Sequence, residues 1–101
     1  MTEIKLQSKE LLEFVKSELI KGDFNPEDAS EIINTMITKK IDFHRARNFS
    51  SEIRFDKKDE KSLARAEELE KSKTALNKVI NLAKEQNKNI RIDSTISIQI
   101  I

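Results

Sequence analysis

The C-terminal segment of this chain, residues 90–101, alternates between apolar and polar side chains. Its even-numbered positions hold Ile90, Ile92, Ser94, Ile96, Ile98 and Ile100. A repeat of two residues is typical of a β-strand with one buried and one solvated face, and β-branched isoleucine packs well on a pleated surface. A strand cannot satisfy its own backbone N–H and C=O groups, so this segment needs a partner strand.

The same segment lacks the side chains that discourage pairing with another chain. Residues 95–101 carry no charge, and charged side chains commonly protect the edge of a sheet. Thr2–Gln7, the internal partner that the sequence suggests, is about half as long as the strand. We therefore predict partial pairing within the chain and self-association through the remainder. The candidate contact residues are Ile92, Ile96, Ile98 and Ile100.

The composition predicts one small domain with a thin core. The 101 residues include no Trp or Tyr, and 37% of them are charged, so stability has to come from aliphatic side chains on amphipathic elements. The absence of cysteine excludes disulfides and thiolate chemistry. No apolar run approaches the length of a signal-peptide core or a membrane span. We therefore expect a cytoplasmic protein with no membrane partner.

The N-terminal quarter of the chain predicts a short strand followed by a helix. Ile4 and Leu6 alternate with polar neighbours within Thr2–Gln7. Ser8 then offers an N-cap, and Gly22 is the type of residue that follows the end of a helix. The apolar stripe between them consists of Leu11, Leu12, Val15, Leu19 and Ile20. This pattern predicts a helix of about 14 residues that ends before Gly22.

Two longer helices are predicted next, folded back on each other. Asn25 and Pro26 mark the start of the first, as an N-cap and a proline at the first helical position. Each helix carries a stripe with alternating spacings of four and three residues, which is typical of a helix–helix seam. The stripes are Ile32, Met36, Lys39, Phe43, Ala46, Ser50 and Ile53, and Ser62, Ala66, Leu69, Lys73, Leu76, Ile80 and Ala83. A turn at Asp56–Asp59 aligns them in an antiparallel register in which paired residue numbers add to 115 or 116.

Together these patterns predict a single domain, residues 1–101, with a mainly helical α+β fold. In chain order it contains a short N-terminal strand, a helix, a long antiparallel helical hairpin and a C-terminal β-strand. Residues 1–38 and 78–101 form the base, and residues 39–77 form a hairpin that projects from it. The sequence leaves open whether the first hairpin helix breaks near Asn48.

The tip of the predicted hairpin is the basic part of the chain, since residues 39–58 hold seven Lys and Arg against three acidic residues. The candidate contact residues there are His44, Arg45, Arg47, Arg54, Lys57 and Lys58. One hypothesis is that they bind the phosphates of a nucleic acid or an acidic partner. The other is that the arginines form ion pairs with Glu67, Glu68 or Glu70 across the hairpin.

The remaining candidates for functional residues are three phenylalanines and the single histidine. Phe43, Phe49 and Phe55 are six residues apart and cannot share one helical face, so at least one should be exposed or mark a break in the helix. An exposed Phe49 or Phe55 at the tip would be a contact residue for a partner. His44 is the only histidine, and no nucleophile–base–acid set or metal-ligand cluster has a suitable spacing. We therefore predict no enzymatic activity, no cofactor and no metal site.

The function that the sequence favours is that of a small protein–protein interaction module. We expect a homodimer or a higher homo-oligomer, formed through the C-terminal strand, the helical hairpin or both. Another protein is a further candidate partner. The alternative is a nucleic-acid-binding accessory or regulatory protein that uses the basic hairpin tip.

Overall fold

The computed structural model describes residues 13–101, which form two strands and two helices. In chain order these are β1 (Phe14–Phe24), α1 (Pro26–Phe55), α2 (Glu60–Glu85) and β2 (Ile90–Gln99). The predicted α+β class, the helical hairpin and the C-terminal strand are confirmed. The predicted strand at Thr2–Gln7 lies outside the described residues.

The helix predicted to end before Gly22 is wrong over the part that the structure describes. Residues 14–24 form β1, and Gly22 lies inside the strand opposite Ile92. The segment contains Phe, Val and Ile residues that also favour a strand. A strand as long as β2 needs a partner of similar length, and this pairing outweighs the weak helical period of the sequence.

The two strands form a two-stranded antiparallel sheet, here called the ribbon. Phe24 is opposite Ile90 at one end, and Phe14 is opposite Gln99 at the other. A β-bulge between Glu18 and Ile20 interrupts the register. It divides the ribbon into a proximal half, residues 20–24 and 90–94, and a distal half, residues 13–18 and 95–100.

The hairpin has a well-defined start and turn. The side chain of Asn25 accepts a hydrogen bond from the backbone N–H of Asp28 (2.7 Å), as expected for an N-cap followed by proline. Helix α1 continues without a break to Phe55, so the break considered near Asn48 is not present. Asp56 then adopts a left-handed conformation (φ 51°), and α2 begins at Glu60. The turn predicted at residues 56–59 is confirmed.

In the half of the hairpin nearer the ribbon, the register differs from the predicted one by about one helical turn. The side-chain amides of Asn34 and Asn77 donate to each other's carbonyl oxygens at 3.0 and 2.9 Å. The Nζ of Lys73 donates to the Oγ1 of Thr38 (3.3 Å). The residue numbers in both pairs add to 111, whereas the sequence pattern gave 115 or 116. Polar pairs, which an apolar pattern does not reveal, therefore lie in the seam.

The predicted seam of α1 is consequently wrong, while that of α2 is largely confirmed. Met36, Phe43 and Ile53 are exposed, and Ile41, outside the predicted stripe, is buried. Because a helix turns about 100° per residue, Phe43 lies roughly opposite Ile41 on α1. On α2 the predicted residues Ser62, Ala66 and Ile80 are buried.

The core lies where the hairpin meets the proximal half of the ribbon. Ala29, Ile80 and Ile92 form its centre, and Ile20, Phe24, Ile33 and Ile90 pack against them. The molecule measures 50 × 41 × 15 Å and has a radius of gyration of 17.5 Å, against about 13 Å for a compact domain of this length. The chain is therefore a thin, extended structure with a small core.

Candidate functional site

The distal half of the ribbon has an uncovered apolar face. Ile92, in the proximal half, is 9% exposed, but Ile96 is 42% exposed and Ile98 and Ile100 are each 65% exposed. Val15, opposite Ile98 in β1, is half-buried on the same face. The hairpin covers the proximal half, so the apolar face continues beyond the core into solvent.

The two free edges of the distal half differ in charge. The backbone N–H of Ile100 donates to the carbonyl of Glu13 (2.8 Å). Because hydrogen bonding alternates along an antiparallel pair, the N–H and C=O groups of Thr95, Ser97 and Gln99 point away from β1. This edge carries no charged side chain. The corresponding edge of β1 carries Lys16 and Glu18.

Charged side chains lie mainly on the opposite, solvated face of the ribbon. Arg91 Nε donates to Asp23 Oδ1 at 2.9 Å, and Lys21 Nζ lies 3.3 Å from Glu18 Oε2. The hydrogen bond from Arg91, together with its charge, lowers the pKa of Asp23 below its usual value of 3.8. The same contacts raise the pKa of Arg91. The ribbon is therefore charged on one face and apolar on the other.

A second group of exposed apolar residues lies on α2, close to the core. Leu76, Val79 and Leu82 are 39%, 58% and 52% exposed. At about 100° per residue, Leu76 and Val79 lie about 40° and 100° around α2 from Ile80, which belongs to the buried core cluster with Ile92, whereas Leu82 lies about 160° away on the far side. The hairpin therefore has apolar surface left over beside the ribbon.

The structure divides the predicted self-association residues into two groups. Ile92 belongs to the internal core and is not available to a partner. Ile96, Ile98 and Ile100 are exposed, as a contact role requires. Val15 was not predicted on this face, because its spacing also fits the helix predicted there. Leu76 was not predicted as a surface residue, since this leucine fits the seam spacing of α2.

The basic tip residues are not a single continuous row. Arg45 is engaged with Glu70 at 2.7 Å, which is one of the predicted cross-hairpin pairs. Arg47 lies over the ring of Phe43 at 5.7 Å. Half-buried His44 meets that ring edge-on at 5.2 Å, and its Nδ1 has no hydrogen-bond partner among the described residues.

The remaining tip cations are Arg54, Lys57 and Lys58. All three are exposed, and none is in an ion pair with a residue that the structure describes. Phe49 and Phe55 are also exposed, which confirms the prediction that the three phenylalanines cannot all be buried. The tip thus presents both apolar and cationic side chains.

Asp59 caps α2 close to these cations. Its carboxylate accepts hydrogen bonds from the backbone N–H and the hydroxyl of Ser62, each at 3.0 Å. These bonds, the backbone one first, lower the pKa of Asp59, and the charges of Arg47 and His44 add to the effect. Asp59 is therefore held as a charged helix cap.

Other sites for chemistry are sparse in the described part of the chain. Within residues 13–101, no three His, Asp or Glu side chains are grouped closely enough to hold a metal ion. A shallow hollow at the bulge is lined by Glu18, Ile20, Lys21, Asp93, Ser94 and Thr95. Neither described helix has the length and apolar character needed to cross a membrane.

Comparison with known proteins gives no relative. No protein-family model, no curated protein and no solved structure matches this chain significantly.

Proposed function

We propose that this protein is a small, non-enzymatic interaction module that forms a homodimer through the distal half of its ribbon. The observation that carries the proposal is the uncovered apolar face of Ile96, Ile98 and Ile100, which continues from the core without a covering layer. Contiguous exposed apolar surface on a folded protein commonly marks a contact with a partner.

The total surface of the chain supports this proposal. Its accessible surface is 8365 Å², whereas a monomeric protein with the mass of residues 13–101 alone is expected to expose about 5,400 Å². If about 2,000 Å² is set aside for residues 1–12 as the most that such a segment can expose, an excess of about 1,000 Å² remains. This excess is similar to the area that one partner contributes to a standard interface, about 800 Å².

The three isoleucines alone give a modest driving force. Burying their exposed fractions contributes about 3 kcal/mol per copy, or about 6 kcal/mol for two copies. Association costs about 4–15 kcal/mol in lost translational and rotational freedom. A stable dimer therefore needs further contacts, and the free strand edge and the exposed residues of α2 are available for them.

The proposal is tested by comparing matched variants in the distal half. Ile98→Asp places a charge on the apolar face, and Lys16→Asp places the same side chain on the solvated face of the same half. Light scattering should give about twice the chain mass of 11.7 kDa for the wild type and for Lys16→Asp. Ile98→Asp should be monomeric, because its carboxylate would have to be buried unpaired.

Circular dichroism separates loss of assembly from loss of the fold. Ile98 is mostly exposed in the single chain, so the Asp variant should keep its helical signal and a cooperative melt. A wild-type chain that stays monomeric at the highest soluble concentration would overturn the proposal. A dimeric Ile98→Asp variant would show that the apolar face is not the contact.

The exposed cations Arg54, Lys57 and Lys58 favour a second candidate, a nucleic-acid-binding accessory protein that uses the hairpin tip. If this candidate is correct, affinity for nucleic acid should fall as the salt concentration rises, since each phosphate contact releases counterions. Changing all three residues to Glu should abolish binding to a mixed-sequence duplex or single strand, while Lys16→Glu should not. No binding by the wild type at about 50 mM salt removes this candidate.

A further inference from the structure

We infer that a second copy of the chain pairs along the free edge of β2, antiparallel and over the full strand length, with Thr95 opposite the partner's Thr95. The inference rests on the proposed self-association and specifies its geometry. It produces a four-stranded antiparallel sheet in which the two β2 strands are central and the two β1 strands are at the edges.

The edge of β2 is better suited to pairing with a second chain than the edge of β1. The outward-facing backbone groups of Thr95, Ser97 and Gln99 form a row of donors and acceptors that pair with no residue in 13–101, on an edge without charged side chains. Natural proteins protect exposed edges with charged residues, especially lysine, or with proline. The edge of β1 has that protection in Lys16 and Glu18, and the distal edge of β2 does not. The unprotected edge is therefore the one that a second chain covers.

The length of the paired segment of β2 determines the register. The paired segment of β2 runs from Ile90 to Ile100, whose N–H still bonds to β1. Two identical antiparallel strands that pair over this whole length have their twofold axis at its midpoint, Thr95. The backbone groups of Thr95 point outward, so the two Thr95 residues can form a hydrogen-bonded pair.

This register also brings two of the three uncovered isoleucines beside isoleucines that the partner's hairpin covers. Ile98 lies next to the partner's Ile92, and Ile100 lies next to the partner's Ile90. The partner's hairpin already covers its own proximal half. A pair of helices is about 20 Å wide, and four strands span about 15 Å, so the widths of the hairpin and of the four-stranded sheet are compatible.

The hairpin has suitable residues for this covering role. Leu76 and Val79 are exposed beside the core residue Ile80. In the dimer Leu76 and Val79, which lie within about 100° of Ile80 around α2, contact the distal isoleucines of the second copy. On the solvated face Ser97 comes opposite the partner's Asp93, and Gln99 comes opposite the partner's Arg91, so no like charges are opposed.

Cysteine cross-linking tests this register, because the natural chain contains no cysteine. Hydrogen-bonded antiparallel pairs have Cα atoms about 5.5 Å apart, within the range of a disulfide. Thr95→Cys should therefore form a disulfide-linked dimer under mild oxidation. Ser97→Cys should not, because two copies of residue 97 are offset by four residues and lie about 14 Å apart. Lys16→Cys, at the outer edge, should also remain a monomer on a non-reducing gel.

A proline variant tests the edge contact without a new bond. The N–H of Thr95 points away from β1, so Thr95→Pro removes a donor that only the partner uses. The variant should be monomeric by light scattering and should keep the wild-type circular dichroism spectrum. Retained dimerisation would overturn the inference.

The cross-linking results separate this inference from the proposed function. If the wild type is a dimer but Ser97→Cys cross-links in place of Thr95→Cys, the register is wrong. If neither variant cross-links in a dimer, pairing through β2 is wrong and self-association through the apolar face alone stands. A monomeric wild type would overturn both.

Discussion

The two halves of the ribbon have the same alternating sequence pattern but different surroundings. In the proximal half, Ile92 packs against Ala29 and Ile80 of the hairpin and is nearly buried. In the distal half, Ile98 occupies the equivalent face and is mostly exposed. The alternation therefore specifies a strand with an apolar face, but it does not specify whether that face is covered by the same chain or by another.

The bulge between Glu18 and Ile20 marks the boundary between the two halves. A bulge bends its strand and increases the local twist, so the distal half is redirected relative to the proximal one. The hairpin is anchored at the proximal end, because α1 begins directly after β1 and α2 ends shortly before β2. Its position leaves the distal half without a covering layer.

The largest effect is expected from truncating one isoleucine in each half. Ile92→Ala should lower the free energy of unfolding by about 2–4 kcal/mol, because it leaves a cavity in the small core. Ile98→Ala should lower it by less than about 1 kcal/mol when measured at a protein concentration low enough to keep the chain monomeric. Urea unfolding followed by circular dichroism measures both values.

The stability losses of Ile92→Ala and Ile98→Ala should depend differently on protein concentration. Assembly stabilises the folded state by mass action, so the effect of Ile98→Ala should grow as the protein concentration rises. The effect of Ile92→Ala should persist at every concentration. Equal losses for the two variants at low concentration would contradict the division of the ribbon into a covered and an uncovered half.

Helix α1 shows a related contrast between its inner and outer faces. Asn34 and Asn77 exchange two hydrogen bonds in the seam, while Met36 and Phe43 are exposed. Asn34→Ala should cost about 1–2 kcal/mol, since it leaves the Asn77 amide without its cross-hairpin partner. Phe43→Ala should cost less than Asn34→Ala. Denaturant unfolding of the two variants measures the difference.

The Asn34 and Asn77 contributions can be separated with a double-mutant cycle. The two single Ala variants should each destabilise the hairpin, and the double variant should cost less than their sum, because the residues contact each other. Additive losses would mean that the amides do not interact across the seam. A Phe43→Ala loss larger than that of Asn34→Ala would favour the register with paired numbers of 115 or 116.

Much of the fold could be predicted from local sequence signals. The cap at Asn25, the proline after it, the turn at residues 56–59 and the alternation of β2 each act over a few neighbouring residues. The hairpin register could not, because the seam of α1 includes Asn34 and Thr38, whose polar pairing with α2 an apolar pattern does not reveal. Strand β1 was missed for a related reason: its partner in β2 is distant in the sequence.

The candidate site could also be predicted only in part from local sequence signals. Ile96, Ile98 and Ile100 were identified from the period of the strand, and the structure shows them exposed. Ile92 was predicted on the same surface, whereas the structure places it in the core, because the end of the strand that the hairpin covers depends on tertiary packing. All of these isoleucines occupy the same face of the strand pattern, but only Ile92 lies where the hairpin covers it.

Deletion of Leu19 tests the bulge that separates the two halves. Leu19 is the extra residue between Glu18 and Ile20, and half of its side chain is exposed. Its deletion should change the free energy of unfolding by less than about 1 kcal/mol, because the flanking pairs can form a regular ladder. It should weaken dimerisation, because the distal half loses its bend. Leu19→Ala is the control, since it keeps the bulge and removes only the side chain.

The deletion has a clear structural readout. Nuclear Overhauser effects between Ser17 and Ile96 should be retained if the distal half remains paired. Wild-type dimer affinity together with a regular ladder would show that the bend does not position the distal half for assembly.

The smallest effect is expected for the Arg91–Asp23 pair on the solvated face of the proximal half. Arg91 lowers the pKa of Asp23 below 3.8, so the pair stabilises the folded state above that pH. Its contribution is lost as the pH falls through the lowered pKa, when Asp23 becomes protonated. The pair is exposed and screened by solvent, so its effect on stability is small. Arg91→Gln should therefore lower Tm slightly at pH 7.

The pH dependence distinguishes this ion pair from a packing effect. The Tm values of Arg91→Gln and the wild type should converge well below pH 3.8, and the pKa of Asp23 in the variant, measured by NMR, should move up toward that value. Arg65→Gln, which removes the Arg65–Glu68 pair on α2, should leave the Asp23 titration unchanged. A Tm difference that is the same at neutral and strongly acidic pH would show that Arg91 acts through its aliphatic stem. In that case the solvated face of the proximal half would also depend on packing.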